Sequence, residues 1–585
     1  MADHEAKAGT SFGGAFLFES ARPAPLFTAE SLSDDQRAYF TAMRQFTERE
    51  VMPNIERLEK KDLGLLRKLL RQAGELGLLL AEVPAAYGGL ELDVTTAMRM
   101  SEATSLFGSW SVTVGCHTGI GSLPIVYFGN EAQKIKYLPK LATAEWVAAY
   151  ALTEPTSGSD ALGARTTARL SPDGKLYLLN GAKQFITNAG IADVFVVFAK
   201  VDGDKFTGFI VERSAPGLTV GPEEHKMGIR GSSTCPLFFE DCQVPVENVL
   251  GEIGKGHRIA FNILNLGRLK LGVGSVGGSR NMLGEALRYV RERRQFGQAL
   301  IEFPLIREKL ARSAAAIHAL ESMAYRTTGM IDERIGAESG ADRPGRVMQA
   351  VEEYSIEASI LKVMGSETLS GVVDEALQMH GGYGYIEGYH VERAYRDVRI
   401  NRLYEGTNEI NRMLITGMLL KRVSKGQLLL GDALAALEQP LPSFDGPLAH
   451  QRTAAAQLKR VGWMVLKLAI ERFGPELESR QEVLAAAADV ISEAFAVDSA
   501  VARTLQVAPE NELRRALVNL YVFEALPRAV VRARTAICCS AEGEALATAL
   551  SQLEGLARIH PIDPAAEREV VVEAMLGAGG YPFGN

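Results

Sequence analysis

The chain has 585 residues, of which 47% are hydrophobic and 23% charged, and its formal net charge is -8. A chain of this length exceeds one hydrophobic core, so we expect several domains. The acidic balance, and the lack of Lys/Arg clusters of the kind that neutralise phosphates, argue against a nucleic-acid partner. No stretch approaches the roughly 18 apolar residues of a spanning helix, and the N-terminus lacks signal-peptide features, so we expect a cytoplasmic protein.

The cysteines and histidines give no sign of a metal site. Five cysteines are scattered without metal-ligand spacing, which predicts buried thiols in a reducing compartment: Cys116, Cys235, Cys242, Cys538 and Cys539. His380 has no second ligand at metal spacing and is interpreted as a structural histidine.

Six segments differ in their pattern of apolar residues. Apolar residues recur at helical spacing in three segments, whereas one segment consists of short β-branched and aromatic runs separated by turns. The pattern predicts a leader (1–32), a helical domain (33–148), an antiparallel β domain (149–254), a helical domain (255–425), a proline-rich linker (426–449) and a further helical domain (450–585). The fold class is therefore mainly α with a β domain in the middle.

Two stretches of the β domain carry candidate ligand-binding groups. In YALTEPTSGSD (150–160) a strand runs into a turn whose hydroxyls and backbone N–H groups suit an anionic or heteroatom-rich ligand. In KQFITNAG (183–190) the side chains of Phe185 and Thr187 share one face of a strand. A plain hydroxyl-rich loop explains the first stretch equally well, and Phe185 taken alone is better explained as a core residue.

Two later stretches are also ambiguous when taken singly. RERRQFG (291–297) holds three arginines within four residues at a helix end, which is more often a solvated face. LQMHGGYGY (377–385) has glycines that would let the backbone approach a ligand, or simply form a turn between helices.

The stretch NRLYEGTNEI (401–410) places Glu405 directly before Gly406, Thr407 and Asn408, residues typical of turns and helix caps. An acid at a helix start is most often a solvated surface group, since acids favour first turns.

Taken in this order, these motifs resemble the FAD-dependent acyl-CoA dehydrogenase family over residues 33–425. The family fold has a helical domain, a β domain and a four-helix bundle, and the additional domain makes the chain similar to the very-long-chain acyl-CoA dehydrogenase branch, as do LLAEVPAAYGGL and FNILNLGR.

The resemblance implies FAD as cofactor and assigns residues to it. Within one subunit the implied contacts are Tyr150, Leu152, Thr153, Ser159, Phe185, Thr187, Thr407 and Glu409. The FAD of a neighbouring subunit is implied to contact Arg293, Phe296, Gln378, Gly381 and Gly382, which implies a homodimer. Many relatives have Trp at the position of Phe185, so stacking is kept and an indole N–H is lost.

The resemblance also assigns the substrate, a fatty acyl-CoA. Its implied contacts are Ser159, Asn265, Arg268, Tyr404 and Gly406. Ser111 and Gly115, which are four apart and share a helix face, are expected beside the acyl channel.

For Glu405 the resemblance implies the role of catalytic base. It would remove the α-proton of the thioester while hydrogen bonds stabilise the charge on the thioester oxygen, and the β-hydrogen would leave as hydride to flavin N5. Some branches of the family place this base just before an arginine on an earlier helix, where this chain has Gly267 before Arg268. Burial beside an acyl chain is expected to raise the pKa of Glu405.

The expected activity is α,β-dehydrogenation of long-chain acyl-CoA to trans-2-enoyl-CoA in β-oxidation, with electrons passed to an electron-transferring flavoprotein. An acyl-CoA oxidase and a non-catalytic assembly scaffold with the same fold are the alternatives. For residues 457–473 the pattern favours core packing, whereas the resemblance suggests contact with a membrane surface and hence a peripheral place on the inner membrane.

Overall fold

The computed structural model describes residues 12–19, 25–337 and 342–583 of the chain. The other parts of the predicted leader, residues 1–11 and 20–24, lie outside the described residues.

The N-terminal domain is helical, as the spacing of its apolar residues predicts. Its first helix begins with a capping box, in which Ser33 accepts the N–H of Gln36 and the Gln36 side chain accepts the N–H of Ser33. Its helices are α1 (Asp34–Phe46), α2 (Ile55–Glu59), α3 (Leu63–Glu75), α4 (Val94–Ala103), α5 (Gly108–Gly115), α6 (Leu123–Phe128) and α7 (Glu131–Ala142).

The β domain forms one sheet. Its strands are β1 (Ala148–Ala151), β2 (Thr167–Leu170), β3 (Leu176–Thr187), β4 (Val194–Val201), β5 (Lys205–Glu212), β6 (Leu218–Val220), β7 (Thr234–Pro245) and β8 (Val249–Leu250). They run in the order β6-β7-β3-β2-β4-β5-β8, and β1 pairs with β4. The sheet is antiparallel as expected, except that β4 pairs in parallel with β1, with Ala148 opposite Val194, and with β2.

The helical domain that follows is built around two long helices, α8 and α11. Its elements are α8 (Gly256–Glu292), β9 (Arg294–Gln295), β10 (Gln298–Ala299), α9 (Pro304–Ile335), α10 (Arg343–Glu353), α11 (Ser355–His380), α12 (His390–Val398) and α13 (Asn408–Ser424). A Cβ atom on Gly365 of α11 would lie 3.0 Å from the Cα of Gly272 of α8. The two helices therefore approach closely because both positions are glycine.

The C-terminal part adds α14 (Leu430–Ala436), α15 (Ala449–Phe473), α16 (Gln481–Val507), α17 (Glu512–Ser540), α18 (Gly543–Leu556) and α19 (Pro564–Ala578). The segment predicted as a linker contains α14. All five cysteines are free, and three are buried as expected. Cys538 and Cys539 are exposed in the last turn of α17, so the prediction that they are buried was wrong.

The additional domain is fastened to the rest of the molecule by buried ion pairs. Arg503 of α16, which is almost fully buried, binds Glu30 of the leader and Glu321 of α9, each at 2.7 Å. Arg514 of α17 binds the same Glu30 at 2.7 Å. A buried charge that loses its partner is costly, so these contacts hold the domain in one place.

The helix that covers residues 457–473 packs inside the protein. Lys459 is buried and binds Asp498 at 2.6 Å, and Arg460 is buried and donates to the carbonyl of Gln439 at 2.6 Å. Two of the cations that a membrane-surface helix would direct to lipid are therefore used internally, and the membrane interpretation finds no support. None of the helices in the described part of the chain has the length and apolar character needed to cross a bilayer.

Candidate active site

Glu405 lies at a backbone corner between a short 3-10 turn, Arg399–Arg402, and the start of α13. Its φ angle is +57°, and Gly406 follows with φ +77°. A non-glycine residue in this left-handed region is strained by about 1–3 kcal/mol and persists only where the surroundings hold it. The turn predicted from Glu405, Gly406, Thr407 and Asn408 is therefore a strained backbone corner, and Glu405 lies on it.

Three side chains hold the carbonyl groups of this corner. Arg268 Nε donates to the carbonyl of Glu405 at 3.3 Å, and Lys362 Nζ donates to that of Gly406 at 2.7 Å. Asn411 Nδ2 lies within hydrogen-bond distance of both carbonyls, at 3.3 and 2.8 Å. Because a side chain of α8 binds one carbonyl and a side chain of α11 binds the other, the corner is fixed by contacts to two separate helices.

The carboxylate of Glu405 is left without such bonds. Its Oε2 atom is buried and has no hydrogen-bond partner among the described residues. Burial raises the pKa of Glu405 to about 7, against the opposing effect of the positive charges of Arg268 and Lys362. A carboxylate with this pKa and no competing donor is suited to general-base chemistry near neutral pH.

Gly267 of α8 makes room for this carboxylate. A Cβ atom at Gly267 would lie 2.5 Å from Oε2 of Glu405 and 2.6 Å from its Cδ. The two positions at which the resembled family carries its base therefore meet at one point in space. Here the earlier position is glycine, and the later one supplies the acid.

Glu405 faces a cavity of about 1350 Å³, counting its open mouth. One face of α8 forms a long wall, with residues spaced by four or three along the helix: Gly267, Leu271, Gly274, Gly278 and Met282. From the first to the last of these the helix rises about 22 Å. The predicted residues Ser111 and Gly115 of α5 also line the cavity, and a Cβ at Gly115 would meet no atom within 4 Å.

The remaining predicted substrate residues, apart from Ser159, line the same cavity or lie at its corner. Tyr404 lines the cavity and donates to Asn401 at 2.8 Å. Asn265 is buried and accepts from Arg268 at 2.6 Å, which orients the guanidinium behind the corner. Ser159 is exposed in the loop after β1.

The first group of predicted cofactor residues lies where β1 and the end of β3 approach Glu405. Thr187 lines the cavity, and the buried hydroxyl of Tyr150 has no partner among the described residues. Leu152 is also buried. The backbone carbonyl of Thr153 accepts the N–H of Gln184 at 2.9 Å, which links the hydroxyl-rich loop to β3.

Phe185 is not a core residue. It has φ +60° and its side chain is 59% exposed, so the core interpretation was wrong. An exposed ring, an unpartnered buried hydroxyl and a hydroxyl-rich loop together fit the ring system of a flavin, with Thr407 and Glu409 at the nearby start of α13.

The second group lies on a separate surface. Arg293, Gly381 and Gly382 line one shallow depression, in which the Arg293 guanidinium lies 5.5 Å from the centre of the Tyr383 ring. Phe296 is 94% exposed at φ +52°, and Gln378 is exposed near the end of α11. None of these residues lines the Glu405 cavity.

Sequence reasoning missed two lysines at the site. Lys362 is fully buried behind the corner, and Lys270 lines the cavity, where it pairs with Glu82. The one signal was a lysine within an otherwise apolar helical run, in ASILKVMG. His380 is buried, with Nδ1 at 2.7 Å from the carbonyl of Ala376 and its ring stacked on Tyr289.

Comparison with known families matches most of the chain. The N-terminal domain of acyl-CoA dehydrogenases matches residues 33–145, the middle domain 149–242 and the C-terminal domain 254–420. A second acyl-CoA dehydrogenase C-terminal domain matches residues 457–554, within the additional helical domain. The chain belongs to the acyl-CoA dehydrogenase family.

Individual relatives agree with this assignment. The chain is 44% identical to a "Probable acyl-CoA dehydrogenase" of Bacillus subtilis (strain 168), over 94% of this chain and 95% of the relative. A crystal structure of an acyl-CoA dehydrogenase complexed with FAD from Bacillus anthracis has a TM-score of 0.95 at 44% identity, covering 98% of this chain and 100% of that one. The human mitochondrial very long-chain specific acyl-CoA dehydrogenase is 39% identical over 70% of this chain and 63% of its own length.

Replacing Gly267 by alanine tests the contact between α8 and the base. The new methyl group would meet the flexible end of Glu405, so we expect normal folding but a displaced carboxylate and about 100-fold slower acyl-CoA oxidation. Gly284→Ala on the same helix, where a Cβ meets no atom within 4 Å, is the matched control and should leave the rate unchanged. Equal rates in the two variants would contradict the contact.

Proposed function

We propose that this protein dehydrogenates fatty acyl-CoA thioesters between the α and β carbons, with Glu405 as the base. The observation that carries the proposal is the partner-free carboxylate of Glu405, held at a strained corner and facing a long cavity. A purely structural acid would be paired or solvated, whereas the Oε2 atom of Glu405 is buried and has no hydrogen-bond partner among the described residues.

The protein is a flavin-dependent oxidoreductase that uses FAD, and Tyr150, Thr153, Phe185 and Thr187 are the residues that would hold the flavin beside Glu405. When bound, FAD supplies the acceptor for the hydride that leaves the β carbon. Glu405 accepts the α-proton through its free Oε2 atom. Among the described residues no acceptor binds the N–H of Glu405, so this group is available to stabilise charge on the thioester oxygen.

Long acyl chains are favoured by the small residues along the cavity. Gly274 and Gly115 both line the cavity, and a Cβ atom at either position would meet no atom within 4 Å. We therefore infer a substrate of long chain length, used in fatty acid β-oxidation.

A homodimer is the proposed assembly. Phe296, Tyr385 and Ile386 are 94%, 83% and 56% exposed, and exposed apolar groups of this size mark interaction surfaces. Arg293 lies beside them and would bind the pyrophosphate of the partner's FAD.

An electron-transferring flavoprotein is the proposed electron acceptor. Oxygen as acceptor would define an oxidase, and rapid reoxidation of the reduced enzyme by air would indicate that alternative. The alternative of a scaffold without activity is disfavoured, because Glu405 has a buried Oε2 atom without a partner among the described residues and lines the cavity.

Glu405→Gln tests the base. The change keeps the size of the side chain but removes the proton acceptor, so acyl-CoA should bind while flavin reduction slows by about 100 to 10,000-fold. In the unmodified protein kcat/KM should rise with pH and level off above about 7, because the carboxylate must be ionised.

The control for Glu405→Gln is Glu387→Gln, which changes an exposed glutamate that pairs with Arg230. Wild-type flavin reduction in Glu405→Gln would exclude this base, and no reduction in either protein would favour the scaffold.

Gly115→Gln tests the acyl channel. The longer side chain would fill the open space beside Gly115, so activity on long acyl-CoAs should be lost while some activity on short ones remains. Gly371→Gln, at an exposed helical position where a Cβ meets no atom within 4 Å, should leave the chain-length profile unchanged. An unaltered profile in Gly115→Gln would remove the channel assignment.

Arg293→Ala tests the second cofactor surface. Loss of charge-assisted bonds should weaken FAD retention by about 10 to 100-fold and weaken the dimer with it. Flavin content and sedimentation measure the two effects, with Arg291→Ala as the control from the same helix end. A variant that keeps its flavin and its sedimentation coefficient would count against this role.

A further inference from the structure

Lys362 is a buried cation that the proposed reaction does not use. It is fully buried in α11 between apolar neighbours, and among the described residues no carboxylate lies within ion-pair distance of its Nζ. Its Nζ donates to the Gly406 carbonyl at 2.7 Å and to Asn408 Oδ1 at 2.8 Å. A buried ammonium group without a direct ion pair is costly, so its retention calls for a reason beyond packing.

We propose that Lys362 is a positioning residue, which holds the corner that aims Glu405 into the cavity and favours the ionised form of its carboxylate. The inference rests on the proposed role of Glu405 as the base.

The hydrogen bonds at the Glu405 corner support the proposal that Lys362 holds this corner in place. Among the described residues Lys362 makes the shortest side-chain hydrogen bond to the Glu405 and Gly406 carbonyls, at 2.7 Å, against 3.3 Å from Arg268 to the carbonyl of Glu405. Asn411 divides its amide between carbonyls of the corner. The left-handed conformation of Glu405 needs such external support.

The bond from Lys362 to Asn408 extends this support into α13. Asn408 is the first residue of that helix, and its Nδ2 donates to Ser366 at 3.0 Å and to Glu367 at 2.9 Å. The start of α13 is thereby bound to α11 at Lys362 and again one turn further along the helix, at Ser366 and Glu367.

The charges around Glu405 support the electrostatic part. Two cations face it, Arg268 from α8 and Lys362 from α11, while the remaining titratable groups that interact with it are neutral at ordinary pH: Tyr150, Tyr404 and Cys116. Burial lowers the pKa of Lys362 to about 8, opposed by the charge of Glu405. Removing the ammonium therefore removes one of the two cations that lower the pKa of the Glu405 carboxyl.

The test measures proton abstraction alone. A 3-oxa-acyl-CoA has α-protons but an oxygen in place of the β carbon, so it cannot lose a hydride. In D2O, Glu405 would remove an α-proton and return a deuteron, and mass spectrometry would follow the exchange as a function of pH in the FAD-loaded enzyme.

Two variants separate position from charge. Lys362→Gln keeps an amide donor, and Lys362→Met keeps neither donor nor charge. In both, the pH midpoint of exchange should move upward by about one unit, since an opposite charge beside the carboxylate is lost. In Lys362→Met the plateau rate at high pH should also fall about 10 to 100-fold, because the corner is no longer held.

Lys459→Met is the matched control. It removes a buried lysine that binds Asp498 in the additional domain, so it should lower Tm without moving the midpoint or the plateau. If Lys362→Met does not retain FAD, the midpoint of Lys362→Gln decides. A wild-type midpoint in a folded Lys362 variant would overturn the inference.

The same assay separates this inference from the proposed function. Wild-type exchange in Glu405→Gln would overturn the base assignment itself. Loss of exchange in Glu405→Gln together with unchanged Lys362 variants would overturn the role of Lys362 alone.

Discussion

The contact between the Glu405 carboxylate and Gly267 of α8 is the constraint around which the site is organised. An acid at this point must be kept buried, unpaired and strained, and each of these conditions is unfavourable when taken alone. The molecule meets them by bringing α8, α11 and the start of α13 together at one corner, with Arg268, Lys362 and Asn411 binding its carbonyls. The cavity beyond the corner uses the same helix, because the glycine face of α8 that admits the carboxylate continues for several turns along the channel wall.

Much of this arrangement could be predicted from the sequence, because local chemistry determines it. The order of helical and strand segments follows from the spacing of apolar residues, and the Glu-Gly-Thr-Asn series identifies a corner before a capped helix. The wrong predictions concern whether a residue lies on the buried or the exposed side of its helix or strand, which local sequence does not determine. Phe185 is apolar, yet its left-handed backbone turns it outward, and Cys538 and Cys539 lie on the outer side of α17. Lys362 could not be placed from sequence, because its partners at residues 406 and 408 lie more than forty positions further along the chain.

The two groups of cofactor residues illustrate the same distinction. Tyr150 and Thr187 lie at the ends of β1 and β3, so the sheet brings them towards Glu405. Arg293 and Gly381 come from the ends of α8 and α11, where the close packing of these helices places them side by side on another surface. At this surface the Arg293 guanidinium can form charge-assisted bonds to a phosphate, and the glycines allow the backbone to approach a ligand closely.

The contacts of Glu30 in the leader show how closely the additional domain is connected to the rest of the protein. Glu30 is bound by both Arg503 and Arg514, and Arg503 also neutralises Glu321, a fully buried acid of α9 that further contacts Arg280 of α8 and Tyr581 of the C-terminal tail. The buried charges around α9 are thus neutralised by residues from near both ends of the chain, Glu30 and Arg503. The domain is consequently not a detachable module: a shortened enzyme would lose Arg503, and the fully buried Glu321 would keep Arg280 of α8, a guanidinium that it shares with the buried Glu102.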